Sequence, residues 1–457
     1  MSDRLIAPSK SAVARATSRW PFALAPRGLL ILAAGLIWIV PAVIDRRAIA
    51  IMAVWNAALI AVAAWDLRRL PGSSLIEVTR AWSGVLTQGA SATATLIVRN
   101  AGDIPIDLAL TDYANATWSD NPPDVAMRVT PGREARATYA ITPRERGDVQ
   151  VGVVVVRWRS DWALAERWAT VPLEQTVRVY PNLQESRREW SFLVRSRQIS
   201  IERRRVRRAR GGREFESLRD YQPGDERRDV CWTASARRAK LVTKVYVPER
   251  SQAVWVLVDG GRLQRARAGD RSMLDHAVMG ALALSQVALA SGDRVGLLTY
   301  GRRVHRRVAP GRGSSHLRDL VDALAVIRAD SVEADHAAAA AEVMNAQRRR
   351  ALVVWLTDVA ETAGTPDVIE QASAMALRHA VLFAVMRHPA IQAVATEAPA
   401  TPAEMYRLMA AQEALERRAA LLSSLTQRGA LIVEVSPTEL AGGLVDRYLE
   451  IKERGVL

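Results

Sequence analysis

Hydrophobic and polar residues follow four successive rhythms along the chain. From Gly28 to Ile44 (GLLILAAGLIWIVPAVI) no residue is charged, and after Asp45-Arg46-Arg47 a second uncharged run extends from Ala48 to Trp65. Each run is about as long as a helix needs to cross a bilayer core of roughly 30 Å. The pattern predicts a basic N-terminal segment, residues 1–70, carrying two transmembrane helices, 28–44 and 48–65, joined as a helical hairpin. A signal peptide followed by a buried helix is the competing reading, but no small-residue cleavage site follows the first run.

From about Leu75 to Tyr180 the period falls to two: Ala92, Ala94 and Leu96 alternate with Thr93, Thr95 and Ile97. Further β-rich runs span 106–109, 125–129, 135–141, 149–157 and 176–180, with turn signals at Asn100-Ala101-Gly102-Asp103, Asn121-Pro122-Pro123-Asp124 and Pro131-Gly132. Short strands at this spacing predict an antiparallel β-sandwich, immunoglobulin-like, over residues 71–181. Lacking a Cys…Trp…Cys framework, it is not an antibody-type domain.

Residues 251–457 alternate apolar strands (253–258, 294–300, 304–308, 351–356, 380–386, 430–435) with helices (272–290, 314–327, 333–347, 366–378). A long helix starts at Thr401, with Glu404 completing a capping box and Pro402 at its first position; Ser436, Pro437 and Glu439 open a final one. This alternation predicts an α/β domain with a doubly wound, mostly parallel sheet, so the fold class is multidomain: hairpin, sandwich, then α/β.

Residues 182–250 keep none of these rhythms. Six arginines fall between Arg203 and Arg210, and the stretch Gly212 to Glu249 is dense in opposite charges around a turn signal, Gln222-Pro223-Gly224-Asp225. It is too charged for a core strand and, with Phe215, Tyr221 and Trp232, too aromatic for a solvated linker. It predicts an ordered connector that either clamps its neighbours together or presents a docking surface. Gly224 permits the turn that aims Asp225 inward, and Arg219, Arg228 and Arg237 lie near Glu214, Asp220 and Asp225 in sequence.

A formal charge of +15 favours contact with an anionic surface without choosing its kind. The single cysteine, Cys231, forms no internal disulfide and points to a reducing compartment. Arg4, Lys10, Arg15, Arg19 and Arg27 precede the first span and Arg68 and Arg69 follow the second, which places the soluble domains on the cytoplasmic side of the inner membrane. Arg46 and Arg47 in the loop act against that orientation. No Walker loop or Gly-x-Ser-x-Gly elbow is present, and the six histidines show no zinc-ligand spacing, so no cofactor is expected.

In a doubly wound sheet the functional crevice lies beyond the carboxyl ends of the strands. Asp259 ends the first strand and Asp358 follows the strand at 351–356. This arrangement resembles the von Willebrand factor A domain, whose metal-ion-dependent adhesion site implies Asp-x-Ser-x-Ser after its first strand. Here the run reads Asp259-Gly260-Gly261-Arg262-Leu263, and the separate threonine of the pattern falls near Ala334-Asp335. With three hydroxyl ligands missing, metal binding of the usual kind is not expected. Arg262 is instead expected to replace part of the cation by pairing with Asp259 or Asp358 and to offer its remaining donors to an acidic partner, the alternative being a solvated loop residue.

Beyond residue 70 the chain resembles the domain-of-unknown-function family 58 of membrane-associated proteins. The match runs through Gly212, Arg213, Glu214, Phe215, Leu218, Arg219, Tyr221, Gly224, Asp225, Arg228, Trp232, Ala236, Arg237 and Leu241, and departs where Cys231 precedes Trp232 in place of an acid. The resemblance implies work alongside a MoxR-type AAA+ ATPase in assembling or maturing an unknown client protein. The leading expectation is therefore a membrane-anchored, non-enzymatic adaptor or assembly factor. An anionic lipid-surface binder using the 203–210 arginines is the alternative, and a hydrolase using Asp259 and Asp358 a weaker one. Only Val206 and Ala209 interrupt those arginines, so nucleic acid is not an expected partner.

Overall fold

The computed structural model describes residues 12–15, 21–44, 47–114, 118, 122–182, 184, 213–223, 225, 229–248, 252–358 and 365–455. The chain falls into two units, Met1–Tyr180 and Pro181–Leu457. The arginine cluster 203–210 and signature residues Gly212, Gly224 and Arg228 lie outside the described residues.

In the first unit the uncharged runs are helical. The first is interrupted: Pro26–Ala34, a 3-10 stretch Gly35–Trp38, then Ile39–Ile44. Pro41 has no N–H to donate to the carbonyl four residues earlier, which weakens regular α-helix there. The second is a single helix, Arg47–Arg69. The two pack side by side: Trp55 Nε1 donates to Ile31 O at 3.2 Å, and a Cβ on Gly35 would lie 2.7 Å from the Trp55 ring. By length and composition, two helices among the described residues are apolar and long enough to cross a membrane, at Arg47–Leu75 and Met273–Ala290. The second is a core helix of the other unit.

The period-two region forms sheets that are antiparallel except where Leu86–Thr87 runs parallel to Gln175–Tyr180. One orders Ala12–Val13, Ile76–Trp82, Ala92–Asn100 and Glu134–Ile141; a second orders Phe22–Leu24, Ala165–Val171, Val154–Arg159, Ile106–Asp112 and Asp124–Val129. Ile76, Val78, Leu96 and Val98 of the first share a core with Leu108, Leu110, Val156 and Trp158 of the second. The run expected as one strand at 149–157 is two, Gly147–Val151 and Val154–Arg159, which join different sheets. The chain changes sheets at Gly152, where a Cβ would meet Tyr113 O at 2.6 Å. Inside, Arg80 forms a fully buried pair with Asp112, Nε to Oδ2 2.9 Å, and also donates to Leu173 O and Gly152 O, each at 3.2 Å. Tyr139 donates to the same carboxylate, and burial with that charge beside it holds the phenol well above its usual range.

The N-terminal residues were not expected to contribute strands. Ala12–Val13 pairs with Ile76–Trp82 and Phe22–Leu24 with Ala165–Val171, so the chain just before and just after the apolar helices belongs to the same β-unit.

In the second unit a six-stranded sheet runs Val304–Gly311, Arg294–Tyr300, Ala253–Asp259, Leu352–Leu356, Ala380–Met386, Leu431–Val435. Only Val304–Gly311, the hairpin partner of its neighbour, is antiparallel. The central strands are buried at every position, as parallel strands covered on both faces must be. Met273–Ala290 starts with a capping box between Ser272 and Asp275, and Gly280 lets it approach Leu440 and Leu444 of helix Leu440–Arg454. The capping boxes at Thr401–Glu404 and Ser436–Glu439 form as the sequence indicates; Pro389–Thr396 is an additional helix. The charged connector folds as its own hairpin, Arg213–Asp220 against Val242–Pro248, with a short helix Trp232–Arg238 between the strands.

Candidate functional site

The first strand of the sheet lies at its centre, beside the fourth, so the strand order reverses between Ala253–Asp259 and Leu352–Leu356. Asp259 and the Thr357-Asp358 pair stand at the carboxyl ends of those two strands, at the switch point. Both carboxylates are buried. Their partners differ.

Asp259 Oδ1 accepts from the Gly261 amide at 2.6 Å and Oδ2 from the Thr357 hydroxyl at 2.7 Å. Burial nevertheless pushes its carboxyl above the usual range, against the lowering effects of His336 and these two donors. Behind it, Trp355 Nε1 donates to the Tyr300 oxygen at 2.5 Å, and the Tyr300 hydroxyl lies 3.0 Å from His336 Nδ1. Burial lowers the His336 imidazole pKa and raises the Tyr300 phenol well above its usual value. The Tyr300 hydroxyl thus bridges the Trp355 indole and the His336 imidazole.

Asp358 meets a full cation. Arg418, on helix Pro402–Gln427, donates from Nη1 to Asp358 Oδ1 at 2.6 Å and from Nη2 to Met386 O at 2.6 Å, and its Nε lies 3.5 Å from Glu434. His388 Nε2 donates to the other carboxylate oxygen. Burial alone would raise the Asp358 carboxyl, but the His388 hydrogen bond and the Arg418 charge outweigh it and hold the group below the usual range.

The expectation for Arg262 is therefore corrected. Its guanidinium turns outward and pairs with Glu333 at 2.9 Å, half exposed, and the arginine that meets Asp358 is Arg418. Glu333 is the nearer acid because the 328–335 loop folds over the first strand, with Asp330 N donating to Gly260 O and Arg262 N to Val332 O. The sequence carried a signal for Arg418: it shares an apolar helical stripe with Ala411, Leu422 and Leu425, at spacings of seven, four and three, where a charge is out of place.

The residues present do not fit a divalent ion. A Cβ on Gly261 would come within 2.9 Å of Ala334 N and 3.1 Å of Ala334 Cβ, so a serine has no room where a hydroxyl ligand is needed. Leu263 and Ala334 supply no oxygen from their side chains, and a guanidinium already neutralises Asp358. Among the described residues no group of three or more His, Cys, Asp or Glu is placed to hold a metal. Beside this face, Arg302, Arg303, His305, Asp330 and Ser331 line a shallow groove of about 440 Å³.

The signature residues form a second surface. Arg219 Nη2 meets Asp225 Oδ1 at 2.7 Å, and Asp225 Oδ2 accepts from Gln222 N at 3.0 Å, closing the turn. Tyr221 N donates to Leu241 O, and Lys240 pairs with Asp220 at 2.8 Å. Arg213, Glu214 and Phe215 lie in the strand, Leu218 is half-buried, and Ala236 and Arg237 are exposed on the short helix. Trp232, expected as an apolar anchor, is 68% exposed.

Residues 217–396 match the family model described as Protein of unknown function DUF58, so the resemblance read from the signature holds across that stretch. Uncharacterized protein YeaD of Bacillus subtilis is 25% identical over 202 residues, 44% of this chain and 48% of that protein. Uncharacterized protein Mb1516 of Mycobacterium bovis is 27% identical over 173 residues, 37% of this chain and 54% of that protein. The chain thus spans about half the length of the curated relatives it matches. Among solved structures, the SpRpn10 VWA domain aligns with 43% of this chain and 95% of its own at 14% identity and TM-score 0.27. A PapD-like domain of human CEP192 aligns with 24% of this chain and 87% of its own at 11% identity and TM-score 0.17. The von Willebrand A-like reading of the second unit rests on the strand order described above.

Proposed function

We propose that this protein is a membrane-anchored, non-enzymatic adaptor whose α/β domain recognises a partner protein through a metal-free adhesion face, and that the partner is a cytosolic MoxR-type AAA+ ATPase. The observation that carries this reading is the Asp358–Arg418 pair. It fills the functional end of the sheet with a satisfied ion pair, and the neighbouring Asp259 oxygens are bound by Gly261 and Thr357. Asp358 is neutralised by a guanidinium and Asp259 is buried among structural donors, which favours recognition over hydrolysis. The partner identity comes from the family resemblance, and the groove with Arg302 and Arg303 adds a basic face suited to an acidic contact.

Membrane anchoring is supported by the exposed apolar side chains of both helical runs, among them Leu30, Ile37, Val40, Val54 and Ile60. It is also supported by the strands that flank the helices in one β-unit, because a pair of crossing helices returns the chain to the side it left. The basic flanks favour the cytoplasmic side for that unit. Co-purification of the full chain from detergent with the ATPase, with and without ATP, tests the function. Nucleotide-dependent capture is expected, and no capture in either state removes the adaptor reading.

A further inference from the structure

We infer that the turn joining strands Val154–Arg159 and Ala165–Val171 is a membrane-interface collar, with Trp162 and Trp65 seated among the lipid headgroups. This rests on the membrane anchoring proposed above. The turn fastens both apolar helices at one point. Leu164 O accepts from Ala25 N at 2.9 Å just before the first helix, and a Cβ on Gly28 would lie 2.4 Å from the same oxygen. At the end of the second helix, Asp66 is buried and accepts from Ser160 Oγ at 2.5 Å and from the Leu164 and Ala165 amides at 3.3 Å. Arg167 Nη2 donates to Leu67 O at 3.0 Å. A buried carboxylate spent on two amides and a hydroxyl fixes helix and turn as one rigid piece.

The depth follows from the helix. Trp65 ends the uncharged run that begins after Arg47, a rise of about 27 Å at 1.5 Å per residue, close to one hydrocarbon thickness. Its ring lies 4.9 Å from that of Trp162, so the turn sits at the same level. Both indoles are about half exposed, the Arg69 guanidinium lies 4.7 Å over the Trp65 ring, and Arg68 is exposed beside it. Paired tryptophans next to arginines at the end of an apolar helix have the composition of an interfacial belt. The acid in the turn, Asp161, is paired with Arg128 at 2.6 Å.

The test uses the full chain with Cys231→Ser, reconstituted in phosphatidylcholine–phosphatidylglycerol vesicles. A fluorophore is placed at Trp162→Cys or at mid-helix Val54→Cys. Asp161→Cys, which keeps Trp162, is a second site in the turn should Trp162→Cys not fold. Nitroxide lipids labelled near the headgroup should quench the turn probes at least about twofold more than lipids labelled near the chain end, with the reverse order at position 54. Quenching at 54 with none at the turn overturns the collar and leaves the anchor standing. No quenching at either position overturns both.

Discussion

Asp358 and Arg418, sixty residues apart in sequence, meet at 2.6 Å where the strand order of the α/β sheet reverses. A guanidinium thus neutralises one of the two buried carboxylates at the switch point. It is anchored by Met386 O and Glu434 as well as by the carboxylate, so it belongs to the fold and is not a mobile counter-ion.

Removing one member of a buried pair strands the other. Arg418→Met should destabilise the α/β domain by about 3–5 kcal/mol, and the double variant Arg418→Met/Asp358→Leu should recover part of that loss. Urea unfolding of the detergent-solubilised chain reads both. Equal stability of Arg418→Met and the parent would contradict the pairing.

The two switch-point carboxylates should respond to pH in opposite senses. Asp358 has a depressed folded-state pKa, so its contribution is present above the unfolded value of about 3.9 and is lost as pH falls through the folded value. Asp259 has a raised one, so its contribution is full below the unfolded value and declines as pH rises through the folded value. Unfolding midpoints across the acid range should therefore show Asp358→Asn flattening the loss on acidification. Asp259→Asn should gain on the parent as pH rises. Parallel curves for both variants would refute the assignment.

In the β-unit, Arg80→Met should cost about 3–5 kcal/mol, because it leaves the Asp112 carboxylate buried without its guanidinium partner. A thermal melt unchanged by the substitution would contradict this.

Much of this architecture was legible in the sequence. Apolar strands at 253–258, 351–356 and 380–386 and the capping boxes at Thr401 and Ser436 fixed the sheet and its helices, and through them the positions of Asp259 and Asp358. The arginine partner was not legible by proximity. Arg262 is near in sequence, but the 328–335 loop brings Glu333 to it, whereas Arg418 arrives from a helix whose overall charge hides one buried position. The N-terminal strands were missed because runs of two and three residues carry no period, and their pairing depends on distant partners.

Trp232 is exposed on the signature hairpin, so Trp232→Ala should leave the unfolding free energy within about 0.5 kcal/mol of the parent while weakening capture of the ATPase. Unchanged capture would take this hairpin out of the docking surface.

Magnesium titration of the full chain by calorimetry tests most directly whether the switch-point carboxylates are closed to a divalent ion. No saturable heat is expected, either in the parent chain or in Asp259→Ala. A defined magnesium site in the parent that disappears in Asp259→Ala would contradict this.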